Sequence, residues 1–274
     1  AWQIGAYKRS WDDLVKYDPT GVETVVYDED KTGFFAGLGK KFKNNKNLSW
    51  YITAEWKDIS IDPVSGDFDP AYLKSKLLDG VSFTLTGTLT RDQRNEYLSY
   101  PNGDVEILGI EQALEFLGGE WNYTKYWVEA RYYKPIDIFN NIFDFKFSNE
   151  DVPVIFAARA KAGFSSGTIP WAEQYFLGSS TTLRGYQDDQ FFGQEMFLAN
   201  FELRVPFEKA FSIVFFYDMG MAWDKTAGQG FSLSDLKDAY GMGVRVRTPM
   251  GNMRIDLATG EKETVTHFGF GEMF

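Results

Sequence analysis

The sequence predicts an all-β chain folded as a transmembrane, antiparallel, up-and-down β-barrel of about twelve strands. Apolar and polar residues alternate with period two through most of its length. The polar positions often carry full charges of both signs. Aromatic residues reach 18% of 274, the proportion expected of a barrel with Trp, Tyr and Phe girdles at both membrane interfaces.

The alternation is plainest at 81–90. Val81, Phe83, Leu85, Gly87 and Leu89 share one face, and Ser82, Thr84, Thr86, Thr88 and Thr90 share the other. A half-buried strand of a soluble sandwich alternates in the same way. Repetition separates the two readings. Trp50, Ile52, Ala54 and Trp56 alternate with Tyr51, Thr53, Glu55 and Lys57. Phe197, Ala199, Phe201, Leu203 and Val205 alternate with Asn200, Glu202 and Arg204, and Met253, Ile255 and Leu257 with Arg254 and Asp256. Charges facing the interior of a soluble sandwich cost several kcal/mol each unless paired. A wide, hydrated lumen accepts them.

Strand-like segments centre on 4–9, 34–42, 48–59, 81–92, 106–116, 123–133, 154–164, 196–205, 212–223, 240–248, 252–258 and 267–274. Their connections alternate in length. Those at 43–47, 206–210 and 249–251 are tight and are placed on the periplasmic side. Those at 12–31, 61–80, 165–194 and 224–238 are long and are placed outside. The stretch 136–147 reads as a longer turn. One barrel domain, 1–274, accounts for the whole chain. The start at Ala1, without Met or a signal peptide, reads as a mature or trimmed form.

Composition excludes several classes. Mean hydropathy is −0.32, and no run reaches the roughly 18 apolar residues of a membrane helix. The net charge of −11 argues against a nucleic-acid partner, which needs a basic face. With no cysteine there is no disulfide, thiolate metal site or cysteine nucleophile. His267 is the sole histidine, and no serine–acid pair assembles around it. Asp62, Asp67 and Asp69 lack the EF-hand spacing and read as solvated loop charges. No metal, cofactor or catalytic group is expected.

Three segments carry a resemblance. Residues 175–186 read YFLGSSTTLRGY, residues 216–220 read FYDMG, and residues 240–256 read YGMGVRVRTPMGNMRID, with HFGFGEMF closing the chain at 267–274. The stretch 89–135, from LTRDQ to LGGEWNYTKYWVEARYYKP, is similar to the same source. In this order and at these separations they resemble the barrel of the BamA and TamA family of outer-membrane protein-assembly factors.

The resemblance implies that the loop carrying Arg184, Gly185 and Tyr186 folds back into the barrel. Arg184 would then meet Asp218 and Glu202 on the inner wall. The alternation agrees. Glu202 lies on the polar face of its strand, and Asp218, with Phe216 and Gly220, lies opposite Phe215, Tyr217 and Met219. A planar guanidinium suits such a role because it grips carboxylates bidentately and stays charged. The alternative is an exposed arginine without a fixed partner.

The last strand is the second candidate site. Phe268, Phe270 and Phe274 form an aromatic, lipid-facing edge, and Gly269 and Gly271 weaken the strand. The resemblance implies a lateral seam where the first and last strands pair poorly and part, with Gly271 at a kink. The alternative is ordinary barrel closure with a terminal aromatic. The implied function is insertion and folding of unfolded outer-membrane client proteins, in contact with outer-membrane lipid and accessory lipoproteins. A TamA-like or two-partner-secretion pore, or a passive porin-like channel, is the competing reading. The family barrel has about sixteen strands. About seven strand-like segments precede the RGY loop here and five follow it. Either the first strands were removed, or the barrel closes with fewer. No POTRA domain is expected within 1–274.

Overall fold

The computed structural model describes residues 1–18, 21–66, 78–95, 100–136, 153–208, 210–249 and 251–274. The strands run β1 (Trp2–Tyr17), β2 (Glu23–Phe42), β3 (Asn45–Ser65), β4 (Gly80–Asp92), β5 (Gly103–Ala113), β6 (Tyr123–Pro135) and β7 (Ile155–Gly167). After them come β8 (Tyr175–Leu177), β9 (Phe191–Gly193), β10 (Glu195–Glu208), β11 (Phe211–Trp223), β12 (Lys237–Thr248), β13 (Gly251–Thr259) and β14 (Thr264–Phe270). Twelve of these form one antiparallel sheet in chain order, from β1 to β14. β8 and β9 form a separate hairpin inside the loop between β7 and β10. No helix among the described residues is long and apolar enough to cross a membrane.

The predicted alternation sets the two faces. Leu38, Ile52, Leu85, Leu89, Leu108 and Ile110 point outward and are exposed. Ser82, Thr84, Lys57, Glu129, Arg159 and Asn200 point inward and are buried. A large apolar outer surface with polar groups sealed inside is the arrangement lipid demands.

Several boundaries differ from the sequence expectation. The region 12–31 is not a long loop. β1 and β2 pair almost to their ends, from Trp2↔Leu38 to Tyr17↔Glu23, across a bulge between Trp11 and Leu14. Cross-strand hydrogen bonding continues beyond the membrane wherever two polar strands stay in register, so charge in 12–31 was a poor loop signal. The strand expected at 106–116 starts at Gly103 and ends at Ala113, and Phe116 lies in the short 3₁₀ turn Glu115–Leu117. The last strand ends at Phe270 and not at Phe274. Most of the expected turn at 136–147 lies outside the described residues, as do Asp67 and Asp69.

The inner face changes character at the long-loop end. Val25 and Tyr27 of β2, Ile59 and Ile61 of β3, and Tyr123 of β6 turn apolar side chains inward, where Ile169 and Trp171 of the β7–β8 connection pack on them. Trp171 meets Phe192 and Phe176 edge-on, with ring centroids 4.6 and 5.4 Å apart. Beside it Glu173 accepts an ion pair from Lys57 at 2.7 Å. The loop is therefore pinned to the wall by an aromatic wedge and one buried charge pair. Burial alone would raise the Glu173 carboxyl, but the Lys57 ammonium overcomes this and holds it below its ordinary 4.5.

Trp171→Ala should cost about 3–5 kcal/mol by opening a cavity in the cluster. Hydrogen exchange in 168–194 should rise while β10–β14 stay protected. Because the Glu173 value is lowered on folding, its contribution is complete above pH 4.5 and is lost as pH falls through the lowered value. Loop exchange protection should hold from neutral pH down to about pH 5 and fail only in stronger acid, and Glu173→Gln should abolish that acid dependence.

Candidate functional site

The site forms where the loop after β8 returns to the barrel wall. Its backbone reverses at Gly185, which takes φ 84° in the left-handed region. A Cβ there would meet the Gly260 backbone nitrogen at 2.8 Å, so both conformation and space require glycine. The reversal aims Arg184 at the inner wall. Its side chain is fully buried.

The register of the wall prepares the receiving groups. Asn200 of β10 pairs with Arg159 of β7 on one side and Asp218 of β11 on the other, which puts three polar side chains in one row. Glu202 follows two residues along β10, on the same face. Arg184 Nε and Nη2 donate to the two Asp218 carboxylate oxygens at 2.7 and 2.9 Å, the bidentate fork that guanidinium geometry favours. Nη1 donates to Glu202 at 2.9 Å and lies 3.5 Å from Asp256. The guanidinium also stacks 3.5 Å from the centre of the Phe216 ring.

The loop backbone is held as well. Asn200 donates from its amide to the Thr182 carbonyl and to Asp218, each at 2.8 Å. Arg159 donates to the Thr181 carbonyl at 2.7 Å, and Arg254 of β13 to the Ser180 carbonyl at 2.8 Å. Tyr186 donates its hydroxyl to the Asp238 carbonyl at 2.7 Å, and burial raises that phenol to about 12. Gly185 N–H donates to His267 Nε2 at 3.2 Å, which requires the unprotonated form of that nitrogen. Gly220 leaves room on β11, where a Cβ would meet the Phe197 carbonyl oxygen at 2.9 Å.

The structure thus brings together Arg184, Gly185, Tyr186, Glu202, Phe216, Asp218 and Gly220 around one loop. It adds residues that sequence reasoning did not assign. Asp256 and Arg245 form an ion pair at 2.5 Å, and Arg245 lies 3.5 Å from Glu202. Arg204 donates to Glu202 at 2.8 Å. Each of these sits on the polar face of its strand, which is a readable signal. Which of them meet was not readable, because that depends on register. Glu202, Asp218 and Asp256 are buried, and each is met by a guanidinium.

At the second candidate site the expectation divides. Phe268 and Phe270 face outward, each 71% exposed. Phe274 does not share their edge. It is 6% exposed and packs inside the barrel beside Tyr133. Gly271, at φ 81°, turns the chain inward after the strand ends. Among the described residues no group of His, Cys, Asp and Glu is placed to hold a metal ion.

A barrel with a lipid-facing outer surface and a returning loop locked to its inner wall defines an integral outer-membrane protein. Residues 16–274 match the family model for the Omp85 superfamily domain, and the chain belongs to that superfamily. Among curated proteins it is 29% identical over 101 residues to an outer membrane protein assembly factor BamA of Nitratidesulfovibrio vulgaris, covering 32% of this chain and 13% of that relative. The crystal structure of BamA from Haemophilus ducreyi lacking POTRA domains 1–3 is similar over 98% of this chain and 57% of that one, with TM-score 0.72 and 14% identity. CdiB from Acinetobacter baumannii is similar over 97% of this chain and 46% of its own, with TM-score 0.63 and 11% identity. These structural likenesses show a shared fold. The chain spans 13% of the curated relative's length.

Arg184→Ala leaves buried Asp218 without its main partner and should destabilise the barrel by about 3–5 kcal/mol. Arg184→Lys should recover part of this, since an ammonium cannot reproduce the fork. Heat-modifiable gel migration across a temperature series measures both.

Proposed function

We propose that this barrel inserts and folds other outer-membrane β-barrel proteins through a lateral seam between β1 and β14. The observation that carries the reading is a mismatch at the two ends of the strand order. β1 has 16 residues and β14 has seven. Much of the β1 edge therefore has no counterpart of equal length. Trp2 and Ile4 on β1 are 80% and 75% exposed, opposite in the order to the exposed Phe268 and Phe270 of β14.

An unmatched strand edge in lipid leaves backbone donors and acceptors at a cost of several kcal/mol each. An incoming chain that adds as a strand satisfies them while satisfying its own. No nucleotide is needed, because the client's folding supplies the free energy. The locked loop ties β7 and β10 to β13 and β14, so the β14 side of the seam is braced while the seam parts. The substrates are unfolded outer-membrane proteins, and the partners are outer-membrane lipid and accessory lipoproteins of an assembly complex. Membership of the Omp85 superfamily and the partial likeness to an assembly factor support this reading.

A second reading, a two-partner-secretion transporter, is supported by the likeness to CdiB. A passive porin-like channel is disfavoured by what occupies the lumen: the Trp171 wedge at one end, the Arg184 lock in the middle and Phe274 at the other.

In liposomes containing this protein, an unfolded client barrel should reach its heat-modifiable form several-fold faster than in protein-free liposomes. Arg184→Ala or Asp218→Asn should lower client levels in a depletion strain. A large, steady conductance in planar bilayers with no effect on client folding would establish the channel instead.

A further inference from the structure

The last residues of the chain point to a binding site on the inner wall. β14 ends at Phe270, and Gly271 still donates its N–H to the Asn252 carbonyl at 2.6 Å. Beyond that bond the chain leaves the sheet. A Cβ at Gly271 would have nothing within 4 Å, so the inward turn comes from its left-handed backbone and not from crowding.

What receives the tail is a receptacle built wholly from wall residues. Met273 and Phe274 are buried with Val105 of β5, Tyr133 of β6 and Ala157 of β7. The Phe274 ring lies 6.2 Å from the Tyr133 ring. The guanidinium groups of Arg159 and Arg204 lie 5.2 and 5.3 Å from its centre. Glu272 pairs with Arg204 at 3.3 Å and accepts the Asn252 amide at 2.5 Å. Neither arginine depends on the tail for its position. Arg159 is fixed by Asn200 at 2.8 Å and Arg204 by Glu202 at 2.8 Å.

The sequence pattern sharpens the point. Thr266, Phe268 and Phe270 face outward along β14, and a strand continued straight on would carry Glu272 and Phe274 to the lipid face. A carboxylate there is costly. Turned inward, the same acid meets a guanidinium and the same ring meets two cations and a tyrosine. The receptacle is thus matched to two features at fixed spacing: an acid, and an aromatic ring two residues later.

We propose that this receptacle is an exchangeable binding site for peptide segments in which an acidic residue precedes an aromatic one by two positions, and that Glu272–Phe274 fills it in this structure. Exchange is physically available because strand pairing ends at the tail's first residue. Past Gly271 the tail is held by side-chain contacts, which a second chain can present as well. The site needs no assumption about insertion activity, so it stands or falls separately from the proposed function.

The test uses the tetrapeptide Gly-Glu-Met-Phe carrying an N-terminal fluorophore, with Gly-Glu-Met-Ala as its control. A chain truncated after Gly271 and confirmed as folded by heat-modifiable migration should bind the first peptide saturably, and the control roughly tenfold more weakly. In the intact chain, Met273→Cys introduces the sole thiol. Excess Gly-Glu-Met-Phe should speed its reaction with a maleimide by displacing the tail, and the alanine peptide should not. Equal binding of the two peptides, no saturable binding to the folded truncated barrel, or a labelling rate indifferent to peptide would overturn the proposal. If the truncated chain does not fold, the labelling rate in the intact chain decides alone.

Discussion

One buried guanidinium organises this molecule. Arg184 is sealed from solvent, a state that costs several kcal/mol unless its charge and its N–H groups are met. Asp218 and Glu202 meet them with short, directed bonds. Asp218 depends on the arginine most, because Arg184 is its bidentate partner, whereas Glu202 is also met by Arg204. Neighbouring pairs extend the dependence around the wall, through Arg245 with Asp256 and Arg204 with Glu202. Loop and wall therefore specify each other. A long connection that would otherwise sample many conformations is held by its backbone to β7, β10, β11, β13 and β14.

The interior is layered. Aromatic packing closes the long-loop end around Trp171, ion pairs fill the middle around Arg184, and a smaller aromatic group around Phe274 closes the short-turn end. This is a packed polar core with apolar caps, and its charges rest on one another more than on water. The exterior obeys a simpler rule, with lipid-facing side chains at every second position. Two solvents, one on each side of a single sheet, account for most of the sequence pattern.

Much of this was legible in the sequence. Period-two alternation located the twelve strands of the main sheet and assigned Glu202 and Asp218 to the inner face. The resemblance around RGY then linked Arg184 to both. Three things were not legible. Polar residues in 12–31 suggested a loop, but the strands stay paired there because polar side chains do not prevent backbone pairing. Asp256, Arg245 and Arg204 could be placed on the inner face but not matched to partners: Arg245 reaches Asp256 diagonally across the β12–β13 pair and Arg204 reaches Glu202 along its own strand, contacts set by register and side-chain direction and not by parity. Phe274 shared the parity of Phe268 and Phe270, and one glycine in a left-handed conformation was enough to cancel that parity.

The lengths of β2 and β3 have a consequence for approach from outside. These neighbours contain 20 and 21 residues, whereas β13 and β14 contain nine and seven. A crossing strand needs only about 10 residues. Roughly half of the β2–β3 pair, some ~30 Å of ribbon, must stand clear of the bilayer on one flank. The barrel therefore has a parapet on that flank and a low sill beside β14. A large molecule nearing that flank would meet the ribbon before it met lipid, whereas beside β14 nothing of that height stands in the way.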